Sequence, residues 1–139
     1  MKFNRLRFEY SGVFVNDSAE ESVIGITGIA RVVHESVRAY KNALKEDSLP
    51  PWDEAPDWQK NATKAAVEFR LKNPTSEPSH QHEQWMAEKI SNGWKYGEAK
   101  DAAAKTHPLL LPYSQLPVSE RLKDRLVQSI IDGLFSECF

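Results

Sequence analysis

The chain has 139 residues, 40% of them hydrophobic and 27% charged, with a formal net charge of −2. That length suits one domain with a core of its own, and the near-neutral balance does not resemble a binder of DNA or RNA polymers. A single cysteine, Cys138, excludes an intramolecular disulfide; no apolar run approaches the ~20 residues of a membrane span, and MKFNRLRFEYSG lacks a signal-peptide core, so a cytoplasmic protein without a membrane partner is expected.

Residues 1–20 are expected to form an N-terminal arm, and 21–139 a single domain. Phe8, Tyr10, Val13, Phe14 and Val15 flank a Ser11-Gly12 turn and suggest a short hairpin or extended piece. The first helix is marked by Ile26, Ile29, Ala30, Val33, Val37, Tyr40 and Leu44, which share one face. It is predicted from Ser22 or Ile26 to Lys45, with Asp47, Ser48, Pro50 and Pro51 ending it. A proline-rich connector follows, anchored on Trp52.

Asp57 is a suitable N-cap for a second helix whose apolar stripe is Trp58, Ala62, Ala65, Ala66 and Phe69, ending near Asn73-Pro74. Ser76 or Ser79 caps a third helix, with Pro78 in its first turn and His82, Trp85, Met86, Lys89 and Ile90 along one side. Gly93 stands where a left-handed C-terminal cap belongs. A long segment without helical periodicity then leads to a final helix over 118–135, with Leu122, Leu126, Ile130, Ile131, Leu134 and Phe135 facing inward. The expected fold is mainly α: about four helices around one core, a long ordered loop and the N-terminal arm.

Several residues could carry chemistry. His34 and Arg38 recur at helical spacing with Arg31 and could hold a phosphate or carboxylate; the competing reading is a solvated rim in which Arg38 pairs with an acid. In the long segment, Trp94 and Tyr96 point the same way in extended chain, with Lys100, Lys105, His107 and Tyr113 beyond. Aromatic faces beside cations suit a nucleotide, whereas a structural reading puts Trp94 and Tyr113 in the core. His80 and His82 diverge by about 200° on a helix, and Glu83 does not complete a metal set, so no metal is expected. No nucleophile elbow is present, and Glu35 beside His34 is a weak basis for general-base chemistry. No enzyme activity and no cofactor are expected.

Gly93 to Pro117 reads GWKYGEAKDAAAKTHPLLLPYSQLP. This run resembles the ryanodine-receptor repeat (RyR) domain family, through Gly93, Trp94, Tyr96, Gly97, Lys100, Asp101, Lys105, His107, Pro108, Pro112, Tyr113, Leu116 and Pro117. His34, Glu35, Arg38, Ala39 and Tyr40 extend the resemblance upstream, as do Trp52, Ala55, Pro56, Trp58, Gln59, His82, Trp85 and Lys89. Lys123 and Asp124 extend it downstream, and the whole is similar to single-copy RyR proteins of bacteria and phages. The resemblance implies a non-enzymatic ligand-binding module that senses or sequesters a small anionic, nucleotide-derived molecule. An adaptor without a small-molecule ligand is the alternative. It also implies tolerance of self-pairing, so a homodimer is expected.

Overall fold

The computed structural model describes residues 25–138, with side chains through 135. The expected arm at 1–20 lies outside the described residues. The described residues form four α-helices: α1 (Ile26–Ala43), α2 (Asp57–Lys72), α3 (Pro78–Ser91) and α4 (Val118–Cys138). Between α3 and α4 lie two short strands, β1 (Lys95–Tyr96) and β2 (Thr106–His107), paired in parallel.

The apolar face of α1 packs as its spacing predicts from Ile26 to Val37, but the helix ends at Ala43 rather than Lys45 and Leu44 is exposed. Ile26, Ile29, Ala30 and Val33 are buried with Trp52, Val67, Leu71 and Ile131. Val37, Val127, Ile130, Leu134 and Phe135 pack around that center. The phase of α2 differs from expectation. On α2 the buried positions are Val67, Arg70 and Leu71, not the alanine stripe. On α4 the expected face holds, with Ile131 at the center and Ile130, Leu134 and Phe135 packed against it, although Leu122 is exposed. Alanine carries too little apolar surface to set a helix phase against Val and Leu on the adjoining face.

Arg70 explains why α2 buries a charge. Its guanidinium forks onto the Asp132 carboxylate of α4, Nε to Oδ1 at 2.9 Å and Nη2 to Oδ2 at 2.8 Å. Nη1 donates to the Ser76 carbonyl at 2.9 Å, an oxygen that also accepts from Gln128. One side chain thereby ties α2, α4 and the entry to α3.

The connector between α1 and α2 is held from α1. Nε2 of His34 bonds to the Pro50 carbonyl at 2.7 Å, and Nε of Arg38 donates to the Leu49 carbonyl at 3.1 Å. The Glu35 carboxylate accepts from the Trp52 main-chain N–H at 2.8 Å and from Arg38 at 2.9 Å. Tyr40 donates its hydroxyl to the Ser119 carbonyl, fixing the start of α4.

Helix ends follow capping physics with two differences from expectation. Asp57 is the first residue of α2 rather than its cap, and α3 is capped by Glu77 rather than a serine. The Glu77 main-chain N–H donates to Nδ1 of His80, a reciprocal box at the helix start. At the other end of α3, Gly93 adopts φ +89°, donates to the Ile90 carbonyl, and lets Trp94 donate to the Lys89 carbonyl. This paired closure is the one a glycine just past the helix permits. It turns the chain back so that Trp94 lands under α3.

Candidate functional site

The side chains that α3 buries are polar: Gln81, His82 and Lys89. They do not enter the hydrophobic cluster. They face a cleft of about 220 Å³ whose walls come from all four helices and from the segment between α3 and α4. Val33, Val37, Ala62, Ala66, Leu109, Leu116 and Val127 make it largely apolar, and Trp58 and Trp85 add aromatic surface. Set into these walls are Lys41, Lys89, Lys100 and Lys123, with His82, His107, Glu120 and Asp124.

Lys89 is the most constrained of the four lysines. Its ammonium lies 4.5 Å from the center of the Trp58 ring and 4.4 Å from that of Trp94. Burial, with the charge of Lys100 second, lowers its pKa to about 8. The two ring faces favor the cation, so the ammonium persists at neutral pH. This sandwich also explains why Trp58 is 44% exposed: its ring serves the cleft mouth rather than the core. Lys100 is exposed as a residue, yet it borders the cleft. Desolvation there lowers its pKa, as do the charges of Lys41 and Lys123, against the pull of Asp47.

The other two lysines have carboxylate partners. Lys41 pairs with Glu46 at 3.6 Å and Lys123 with Glu120 at 2.6 Å. Asp124 is pushed to about 7, by burial first and by Glu120, against the pull of Lys123. It lies 4.0 Å from Nδ1 of His82, whose Nε2 bonds to the Leu111 carbonyl at 2.8 Å. Burial lowers the pKa of His82, so the pair is a neutral ring beside a carboxyl that is half protonated at pH 7.

His107 sits at the center of the positive field. Burial lowers its pKa to about 3, reinforced by Lys100, Lys89, Lys123 and Lys41 in that order. Its ring meets Trp85 edge-on at 4.9 Å. The strand pair holds it in place: Lys95 opposes Thr106 and Tyr96 opposes His107. Gly97 allows that approach, because a Cβ there would stand 2.6 Å from the Thr106 Cβ. Asp101 accepts the Ala103 and Ala104 N–H groups and shapes the turn that carries Lys100.

Residues 68–134 match the family model of the RyR domain. The chain carries an RyR domain. The match begins late in α2 and ends in α4, so it includes Trp85, Lys89, Lys100, His107 and Lys123. The cleft of this RyR domain also uses Val33, Val37, Lys41 and Trp58, which precede the matched span.

Of the site residues proposed from the sequence, the RyR cleft takes Lys100 and His107. Trp94 is buried and supports Lys89 from below. Tyr113 flanks His82 at 6.0 Å and donates to the Arg121 carbonyl. Tyr96 is exposed. Lys105, at φ +57°, donates its ammonium to the Asn92 carbonyl at 2.8 Å and so caps α3. His34 and Arg38 are occupied by the connector. Lys41, Lys89, Lys123 and Trp58 escaped the sequence reading as site residues. For Lys89 a signal was available: a lysine on the inward side of an amphipathic helix needs a reason to be there. Among the described residues, no cluster suits a metal ion, and no helix is long and apolar enough to cross a membrane.

Proposed function

We infer that this RyR domain is a non-enzymatic module that binds a small anionic, nucleotide-like ligand in the cleft. The observation that carries this reading is the convergence of four lysines on an apolar cleft around a neutral histidine. Burial first, and repulsion from the neighboring lysines after it, lowers the pKa values of Lys89 and Lys100, so holding these cations together carries a repulsive cost. An anion between them relieves it, with little competition from water. Trp85 and Trp58 supply faces on which a flat ring can stack. The volume is below the ~300–1,000 Å³ of sites that enclose a drug-sized molecule, so the cleft suits one charged group and part of a ring.

A thermal-shift screen of nucleotides, cyclic nucleotides and the parent nucleosides tests the reading. Anionic members should raise the melting temperature and nucleosides should not. A ligand at 100 times its Kd stabilizes by about 2.7 kcal/mol, a readily measured shift. Binding should weaken as pH rises past 8, where Lys89 loses its charge. If no anion raises the melting temperature, the adaptor reading replaces this one.

A further inference from the structure

The main chain assigns the tautomer of His107. Nδ1 accepts the Leu109 main-chain N–H at 3.1 Å. A main-chain N–H can only donate, so Nδ1 holds a lone pair and the ring of a neutral histidine carries its proton on Nε2. Charging the ring would add a cation in a buried position, 9% exposed, facing Lys41 of α1, Lys89 of α3, Lys123 of α4 and Lys100. The ring therefore stays neutral throughout the physiological range.

The Nε2–H has no hydrogen-bond partner among the described residues. His107 borders the cleft. Around it, Lys41 and Lys123 already have carboxylates, whereas Lys89 and Lys100 have none at ion-pair distance among the described residues. Two cations without a carboxylate partner thus line the same cleft as His107.

We propose that Lys89, Lys100 and the Nε2–H of His107 form the seat of a dianionic oxyanion, the terminal phosphate of a phosphate monoester, with His107 as the specificity-determining donor. The proposal rests on the reading of the cleft as an anion site and adds the class of anion. Two charges match two cations, and an oxygen lone pair meets the N–H. A monoanionic carboxylate leaves one ammonium uncompensated. Because lysines are point charges, the directional contact is left to the histidine.

The test titrates inorganic phosphate, adenosine 5′-monophosphate and adenosine into wild type, His107→Gln and His107→Leu, with calorimetry for affinity and melting curves for folding. Phosphate and the monophosphate should bind wild type, and adenosine should not. A monophosphate at least about tenfold tighter than phosphate assigns the seat to a nucleotide, and equal affinities assign it to free phosphate. His107→Gln keeps an N–H in reach and should stay within about threefold of wild type, while His107→Leu should lose about tenfold, the upper range for one neutral hydrogen bond. Imidazole ¹⁵N spectra of the wild type supply a readout independent of folding in the variants. Nε2 should be protonated and Nδ1 not, unchanged between about pH 5 and 8. A proton on Nδ1, a titration inside that window, or wild-type phosphate affinity in a folded His107→Leu overturns the assignment of His107 and leaves the lysine cleft standing. Wild type that binds neither phosphate nor the monophosphate overturns the dianion. The broader anion reading falls only if the nucleotide screen is also empty.

Discussion

Single residues in the cleft trade stability for potential, and pH exposes the trade. Asp124 titrates at about 7 in the folded chain, above the ordinary carboxylate value of ~3.9. The folded state therefore binds more protons than the unfolded state between those values. The associated stability is present below the lower value and is lost as pH rises through 7. Asp124→Asn should stabilize the protein by about 1–2 kcal/mol at pH 8 and hardly at all at pH 4, measured by urea unfolding. An equal gain at both pH values would place the cause outside Asp124 ionization. The lysines of the segment between α3 and α4 should separate just as clearly. Lys100→Gln should weaken anion binding by about tenfold, the scale of one charge-assisted hydrogen bond. Lys105→Gln should leave affinity within about twofold and cost under about 1 kcal/mol of stability, because its ammonium is spent on the Asn92 carbonyl at the surface. Calorimetry on the two variants decides, and a reversed order would return Lys105 to the site.

Between elements, the joints are small and specific. Gly97→Ala would push a Cβ to 2.6 Å from the Cβ of Thr106, an atom fixed to the main chain that cannot swing away. It should cost about 1–3 kcal/mol by overpacking and displace His107, so anion affinity should fall along with the melting temperature. The joint at Arg70 is asymmetric. Asp132→Ala strands a guanidinium that is 9% exposed and should cost about 3–5 kcal/mol, whereas Arg70→Met keeps the packed stem and leaves Asp132 free to hydrate, costing about 1–2 kcal/mol. Urea unfolding of the two variants measures the difference, and equal costs would argue against a stranded charge. The same joints show what the sequence could tell. The first helix was legible because Ile26, Ile29, Ala30 and Val33 recur at spacings of three and four, and Gly93 because its position after α3 demanded a left-handed cap. The phase of α2 was not legible, because Arg70 is buried only by virtue of Asp132, 62 residues away. Lys100 and His107 could be found within one segment, but Lys41 and Trp58 reach them only through the packing of α1 and α2 against α3.

For the whole molecule, the arrangement leaves Val118 and Leu122 about one turn apart on α4 and 59% and 55% exposed. A homodimer is proposed on the tolerance for self-pairing implied by the RyR resemblance, and light scattering at tens of micromolar should then give about twice the 15.8 kDa chain mass. A monomer at that concentration would set the dimer aside. The cleft has a further consequence, because its walls have two origins. The segment 68–134, by which the lineage is recognized, brings Lys89, Lys100, His107 and Lys123. The part before it brings Lys41 and Trp58 to the same opening. Selection acting on the first half alone could retune what the mouth admits while leaving the mark of descent intact. Chimeras that exchange only residues 25–67 should therefore change what passes Lys41 and Trp58, while the seat formed by Lys89, Lys100 and His107 stays with the second half.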